Sequence, residues 1–148
     1  MIEPAIVEFG PDGMPFSVRY HDVYRSREGA LAESNEVFVQ GAHLQERWRG
    51  RSDYTVLEVG FGLGLNFLAT VRALLDDPAG PECLHFVSVE AHPLDRADLS
   101  RAHEALGLAN DPLSRELLQA WPLAMPGLHR LTFSGGRVRL ILDSKLSR

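Results

Sequence analysis

A chain of 148 residues can form one domain or part of one, and with 45% hydrophobic and 24% charged residues it has the composition of an ordinary globular protein. At this length roughly 70% of the unfolded surface can be buried without a metal or disulfide staple. The single cysteine, Cys83, excludes an intramolecular disulfide, and no Cys/His cluster of zinc-binding spacing is visible, so no metal ligand is assigned and a reducing cytoplasm is expected. The net charge, 15 − 20 = −5, argues against a dedicated DNA-binding module but leaves room for a local basic face on RNA.

The first residues, MIEPAIVEF, lack the basic flank and apolar core of a signal peptide, and no apolar run approaches the ~18 residues that span a bilayer. AIVEF and PFSVRY read as two short strands joined by the turn chemistry of GPDGM. Residues 28–48 have helical composition broken near Gly41, which predicts two short helices with Leu31, Val37, Phe38 and Leu44 on the apolar face. TVLEV follows as an apolar run without alternation, as expected of a central parallel strand. GFGLG is a turn, and LNFLATVRALL is an apolar helix closed by the linker DDPAGPE.

LHFVSVE is a second buried strand. Pro93 stands where the next helix would start, and DRADLSRAHEAL is that helix, with Gly107 at its end. SRELLQAW is a third helix, and LHRLTF and RVRLIL form a hairpin around Ser134-Gly135-Gly136. The order β–α–β–α predicts an α/β, Rossmann-like, doubly wound sheet, incomplete at its carboxy-terminal side. Two regions are expected: an amino-terminal hairpin and helical segment over residues 1–53, and the first half of a cofactor-binding domain over residues 54–148.

The stretch from Tyr54 to Leu68, YTVLEVGFGLGLNFL, carries the chemistry. In an open parallel sheet, ligands bind beyond the carboxyl ends of the strands. Gly60, Gly62 and Gly64 permit positive φ and close backbone approach there, and the following helix offers free N–H groups. A dinucleotide fingerprint is GxGxxG, whereas the spacing here is GxGxG, with Glu58 two residues before it. A carboxylate at that point repels pyrophosphate and accepts from a cationic amino-acid group. Glu90, ending the next strand, is placed to accept ribose hydroxyls. Two acids without a phosphate-binding lysine favour S-adenosylmethionine over NAD. Phe61 and Asn66 flank the loop and are candidates for contact with its methionine part, although Phe61 is equally suited to the core. A non-catalytic remnant that at most binds a nucleoside cofactor or a partner chain is the alternative to an enzyme.

Four segments carry a family resemblance: FGPDGMPFSVRYHDVYRSREGALAESNEVFVQGAHLQERW, LEVGFGLGLNFL, LHFVSVEAHPLDRADLSRAH and LLQAWPLAMPGLHRLTFSGGRVRL. From about Phe9 to Leu142 the chain resembles the methyltransferase domain of the bifunctional tRNA 5-methylaminomethyl-2-thiouridine biosynthesis proteins. The resemblance implies an S-adenosylmethionine-dependent methyltransferase fold, transfer of methyl to the aminomethyl nitrogen on the wobble uridine of tRNA, and FAD only in a separate carboxy-terminal domain. It also implies that Tyr24 walls the cofactor pocket. The family's pattern continues after RVRLIL with a Gly-Asp pair and later an Asp-Gly-Phe motif beside the substrate amine, whereas here Leu142 is followed by DSKLSR. No catalytic residue is therefore assigned among these positions. A half-built sheet is also expected to expose an apolar edge through which copies associate.

Lesser candidates remain. Arg47, Arg49 and Arg51 cluster beside Trp48, and Arg19, Arg25 and Arg27 lie near Tyr20 and Tyr24. Either group could meet tRNA phosphates, and Trp48 a base, or each could be a solvated loop with an apolar anchor. The six histidines show no metal-ligand spacing and read as structural or surface residues. Trp121 reads as a packing anchor and Cys83 as a buried small hydrophobe.

Overall fold

The computed structural model describes residues 6–11, 15–17, 22–23, 29–122 and 125–144. Tyr24, Arg19, Arg25, Arg27, Tyr20 and His21 lie outside the described residues. Near the amino terminus β1 (Val7–Phe9) pairs antiparallel with β2 (Pro15–Ser17), which pairs antiparallel with β3 (Asp22–Val23), so the expected hairpin is present with a third short strand added. The Arg101 guanidinium lies 3.8 Å over the Phe9 ring, a cation–π contact that ties the hairpin to the main body.

Two short helical segments follow, as expected. The first runs as α1 (Ala30–Ser34) directly into a π-helical stretch (Asn35–Gln40), and the second is α2 (Leu44–Trp48) after a turn at residues 41–43. The wider π turn alters which side chains face inward. Val39 is buried and Val37 is 68% exposed, so Val37 does not belong to the apolar face predicted for it. Trp48 is fully buried, edge-on to Tyr54, with its indole N–H donating to Asp77 Oδ2 at 2.8 Å.

The main sheet has four strands among the described residues, in the order β4 (Asp53–Val59), β5 (Cys83–Glu90), β7 (Val138–Ser144), β6 (Gly127–Phe133). The first three are parallel and β6 is antiparallel to β7, closing the predicted hairpin. α3 (Leu65–Asp76) links β4 to β5. α4 (Arg96–Ala105) and α5 (Pro112–Ala120) link β5 to β6. Both of these helices are capped by aspartate. Asp95 Oδ1 accepts from Asp98 N at 2.8 Å, and Asp111 Oδ1 accepts from Ser114 N at 2.8 Å. The helix expected at Pro93 thus begins three residues later, and the one expected at Ser114 begins with Pro112 as its first residue.

Phe67 on α3 joins the layers, with ring centroids 5.3 Å from Phe86 on β5 and 5.2 Å from Phe133 on β6. Leu84, Phe86, Val138, Leu140 and Leu142 complete the covered face of the sheet, and all are buried. TVLEV is neither central nor uniformly buried. Among the described residues β4 pairs with β5 alone, and its burial alternates, with Val56 and Glu58 inside while Leu57 is 70% and Val59 87% exposed. The physical reason is that one face of the sheet carries the core and the other is open, so period-two alternation reappears in a parallel strand. No helix among the described residues is long and apolar enough to cross a membrane.

Leu57 and Val59 leave exposed apolar side chains on the open face of β4, the strand at one edge of the sheet among the described residues. The expected outcome is concentration-dependent self-association of this chain in light scattering coupled to size exclusion. A Leu57→Lys/Val59→Lys variant should remain monomeric at concentrations where the wild type does not.

Candidate functional site

The loop between β4 and α3 is built from three glycines with positive φ: Gly60 at 87°, Gly62 at 56° and Gly64 at 75°. They do different work. A Cβ at Gly60 or Gly62 would meet no heavy atom within 4 Å, so both present bare backbone to open space. A Cβ at Gly64 would lie 2.8 Å from the Phe61 ring and 3.1 Å from Leu117 Cδ2. Gly64 is thus a packing glycine that lets α3 start against the core, not a point of ligand approach.

Backbone hydrogen bonds tie the loop to the sheet. Gly60 N donates to Val89 O at 2.7 Å, extending the β4–β5 ladder by one step, and Gly62 N donates to Glu90 Oε2 at 3.0 Å. The other Glu90 oxygen accepts from His92 N at 2.9 Å. Each carboxylate oxygen keeps a second lone pair, so Glu90 can hold the loop and still accept a ligand hydroxyl.

Glu58 is buried, at 7% exposure, and is held on both oxygens: Asn66 Nδ2 donates to Oε1 at 2.9 Å and Ser88 Oγ to Oε2 at 3.1 Å. Asn66 is therefore an orienter of Glu58 that also lines the cleft. Thr70 Oγ donates to the Asn66 carbonyl at 2.7 Å in the next turn. Ser88 escaped the sequence reading. Its signal was present, because it is a polar residue on the same alternation as Leu84 and Phe86, the buried face of β5.

Phe61 is only 4% exposed and stacks on Trp121, with centroids 5.4 Å apart and planes 25° apart. Its ring is core, and only its backbone contributes to the loop surface. Trp121 is the expected packing anchor, with Nε1 donating to Leu94 O at 2.8 Å. The cleft above the loop has a volume of about 200 Å³ and is lined by Glu58, Gly60, Phe61, Gly62, Leu63, Leu65 and Asn66. A neighbouring cavity is lined by Glu90, Pro93, Leu94, Trp121, Pro122, Leu142 and Ser144. Two carboxylates line these spaces and no lysine or arginine does, among the described residues.

His103 supports the loop from below and was assigned only a structural role from sequence. It is fully buried, with Nε2 2.7 Å from Leu63 O and Nδ1 2.7 Å from Ser114 Oγ. A carbonyl only accepts, so Nε2 carries the proton and Nδ1 accepts from the Ser114 hydroxyl. Burial holds the imidazole below its ordinary pKa, opposed by the hydrogen bond to Leu63.

Two other expectations resolve here. Arg47, Arg49 and Arg51 are all exposed, but buried Trp48 cannot stack on a base. Cys83 is only partly buried and shares a strand face with His85, so it is not the enclosed small hydrophobe expected. The Arg72 guanidinium pairs with Asp111, adding a charge contact at the α5 cap.

Two predictions follow from this geometry. Because His103 is neutral in the fold, the unfolded chain binds more protons between its depressed pKa and about 6.5. Stability should therefore fall as pH drops below about 6.5, and thermal melts of His103→Gln should show a shallower loss over the same range. Gly62→Ala should cost only left-handed strain, about 1–2 kcal/mol. Gly64→Ala should add an overpacking cost of about 1–3 kcal/mol. Urea unfolding of the two variants checks the order, and equal midpoints would remove the packing role of Gly64.

No family model matches the chain. It is 50% identical over 143 residues to the tRNA 5-methylaminomethyl-2-thiouridine biosynthesis bifunctional protein MnmC of Cupriavidus metallidurans, covering 96% of this chain and 21% of that protein. Proteins of the same name from Ralstonia nicotianae (51% over 138 residues, 93% of this chain and 21% of the protein) and Thiobacillus denitrificans (50% over 141 residues, 95% and 23%) are similarly related. The chain spans about a fifth of the length of these curated relatives. Among solved structures it is similar to MnmC2 from Aquifex aeolicus, with a TM-score of 0.61 at 20% identity over 99% of this chain and 43% of that one. This likeness bears on the fold, which is of the α/β, Rossmann-like class.

Proposed function

We propose that the chain, 50% identical over 143 residues to one tRNA 5-methylaminomethyl-2-thiouridine biosynthesis bifunctional protein while covering 21% of it, belongs to that family and forms the cofactor-holding part of an S-adenosylmethionine-dependent tRNA methyltransferase. One observation carries the reading: an open glycine loop lies between two carboxylates at adjacent strand ends, with no basic side chain lining the cleft among the described residues. Pyrophosphate would meet Glu58 with no compensating cation among the described lining residues, whereas a ligand bearing an ammonium and a sulfonium gains from it.

The residues present fit such a ligand. Gly60 and Gly62 leave the space that a Cβ would fill. Glu58, fixed by Asn66 and Ser88, would receive the cationic amino-acid end, and Glu90 would accept ribose hydroxyls on its remaining lone pairs. When bound, the cofactor supplies an electrophilic methyl group. The chain's own contribution is to hold and orient the donor in a fixed frame, which is where positional catalysis resides. The substrate is proposed to be the aminomethyl group of a wobble uridine in tRNA, which would place the chain in the cytoplasm. The exposed arginines 47, 49 and 51 are the basic face available to tRNA phosphates.

Calorimetric titration of the chain with S-adenosylmethionine, S-adenosylhomocysteine and NAD tests the reading. Binding of the first two and not of NAD is expected. Glu58→Gln and Glu90→Gln should each weaken S-adenosylhomocysteine by roughly tenfold or more, the scale of a charge-assisted hydrogen bond. Preference for NAD, or silence toward all three ligands, would overturn the assignment.

A further inference from the structure

We propose that Asp53, Cys83 and His85 form a binding site for a divalent cation of borderline softness, with zinc as the representative ion. The three residues come from the amino-terminal ends of two neighbouring strands, remote in sequence register from the glycine cleft at the carboxyl ends. Asp53 and Cys83 are direct partners in the β4–β5 ladder, and His85, two residues after Cys83, projects from the same face. Their ligand atoms all lie within 4.8 Å of one another.

The geometry differs from that of a catalytic triad. Cys83 Sγ lies 3.5 Å from His85 Nε2, and Asp53 Oδ1 lies 3.5 Å from the same nitrogen. Tetrahedral zinc with its usual bond lengths to sulfur, nitrogen and oxygen separates its ligands by about 3.6 Å for S···N and about 3.4 Å for N···O. The two separations centred on Nε2 therefore match those of ligands around an ion, and the third pair lies within 4.8 Å. A catalytic Cys–His–Asp relay needs the thiol and the carboxylate on opposite ring nitrogens. Here both face Nε2, which can carry only one proton. The Nε2···Oδ1 separation is also longer than a made hydrogen bond.

The chemistry agrees. A thiolate, a neutral imidazole and a carboxylate give a net charge of −2 opposite a dication, and the softness of sulfur with nitrogen selects zinc-like ions over magnesium or calcium. His85 and Asp53 are 26% and 67% exposed, so an ion can enter from solvent and water can complete its shell. By joining the first residues of β4 and β5, the ion would pin the ladder where it begins, and its binding would couple to folding stability.

Cys83 is the only cysteine in the chain, so the wild-type protein reports on this site without substitution. The untagged, reduced chain is titrated with Co²⁺ alone as the probe, followed by Zn²⁺. The expected result is one equivalent bound, with the visible bands of tetrahedral cobalt and a near-ultraviolet thiolate-to-cobalt band that Zn²⁺ abolishes. Zn²⁺ should also slow modification of Cys83 by a thiol reagent and raise the melting temperature. Cys83→Ser and His85→Ala, each checked for native circular dichroism, should bind cobalt more weakly by about tenfold or more. Absence of the charge-transfer band at saturating cobalt, or thiol reactivity unchanged by Zn²⁺, would overturn the site whether or not the variants fold.

Discussion

The two hydrogen bonds that fasten the glycine loop, from Gly60 N to Val89 O and from Gly62 N to the Glu90 carboxylate, are the constraint on which the cleft depends. They set the loop's height above the strand ends and therefore where α3 begins. That origin places Asn66, and Asn66 aims Glu58. Both carboxylates are thus positioned by one short piece of backbone. A loop free to lift away would release Glu90 from the Gly62 N–H and take the amide of Asn66 from Glu58. Such a loop would leave a buried acid with poorer solvation, which is costly in a low-dielectric setting.

The loop rests on a stiff floor. Phe61 stacks on Trp121, and Phe67 bridges Phe86 and Phe133, so the aromatic core runs directly beneath the glycines. His103 adds a buried polar clamp, satisfied on both ring nitrogens by groups from the loop and from α5. Gly64 is part of this floor, since any side chain there would strike the Phe61 ring and Leu117. Rigid support of this kind suits a site whose task is to hold a donor in place.

The opposite face of the sheet has a different character. Leu57, Val59 and Leu128 are exposed there, and Asp53, Cys83 and His85 gather on it at the other end of the strands. Much of the architecture was legible because local patterns agreed with it: GFGLG after an apolar strand, the helix that follows it, and the Ser-Gly-Gly hairpin. Three features were not. Val37 was misassigned because a π turn does not keep the 3.6-residue period on which the prediction relied. TVLEV looked central because an unbroken apolar run carries no mark of which face will be covered. Ser88 looked incidental because its partner Glu58 stands thirty residues away.

What the sequence determined by itself is the succession of strands and helices, the turn that needs positive φ, and the presence of acids at two strand ends. Each of these follows from neighbours within a few residues, where propensity and sterics act. Only the tertiary structure decided which glycine faces open space and which packs, that Phe61 turns inward, and that Asn66 and Ser88 together hold Glu58. It also brought Asp53 opposite Cys83. Such relations depend on register between strands and on the packing of helices over one face, and spacing along a single chain does not encode them legibly.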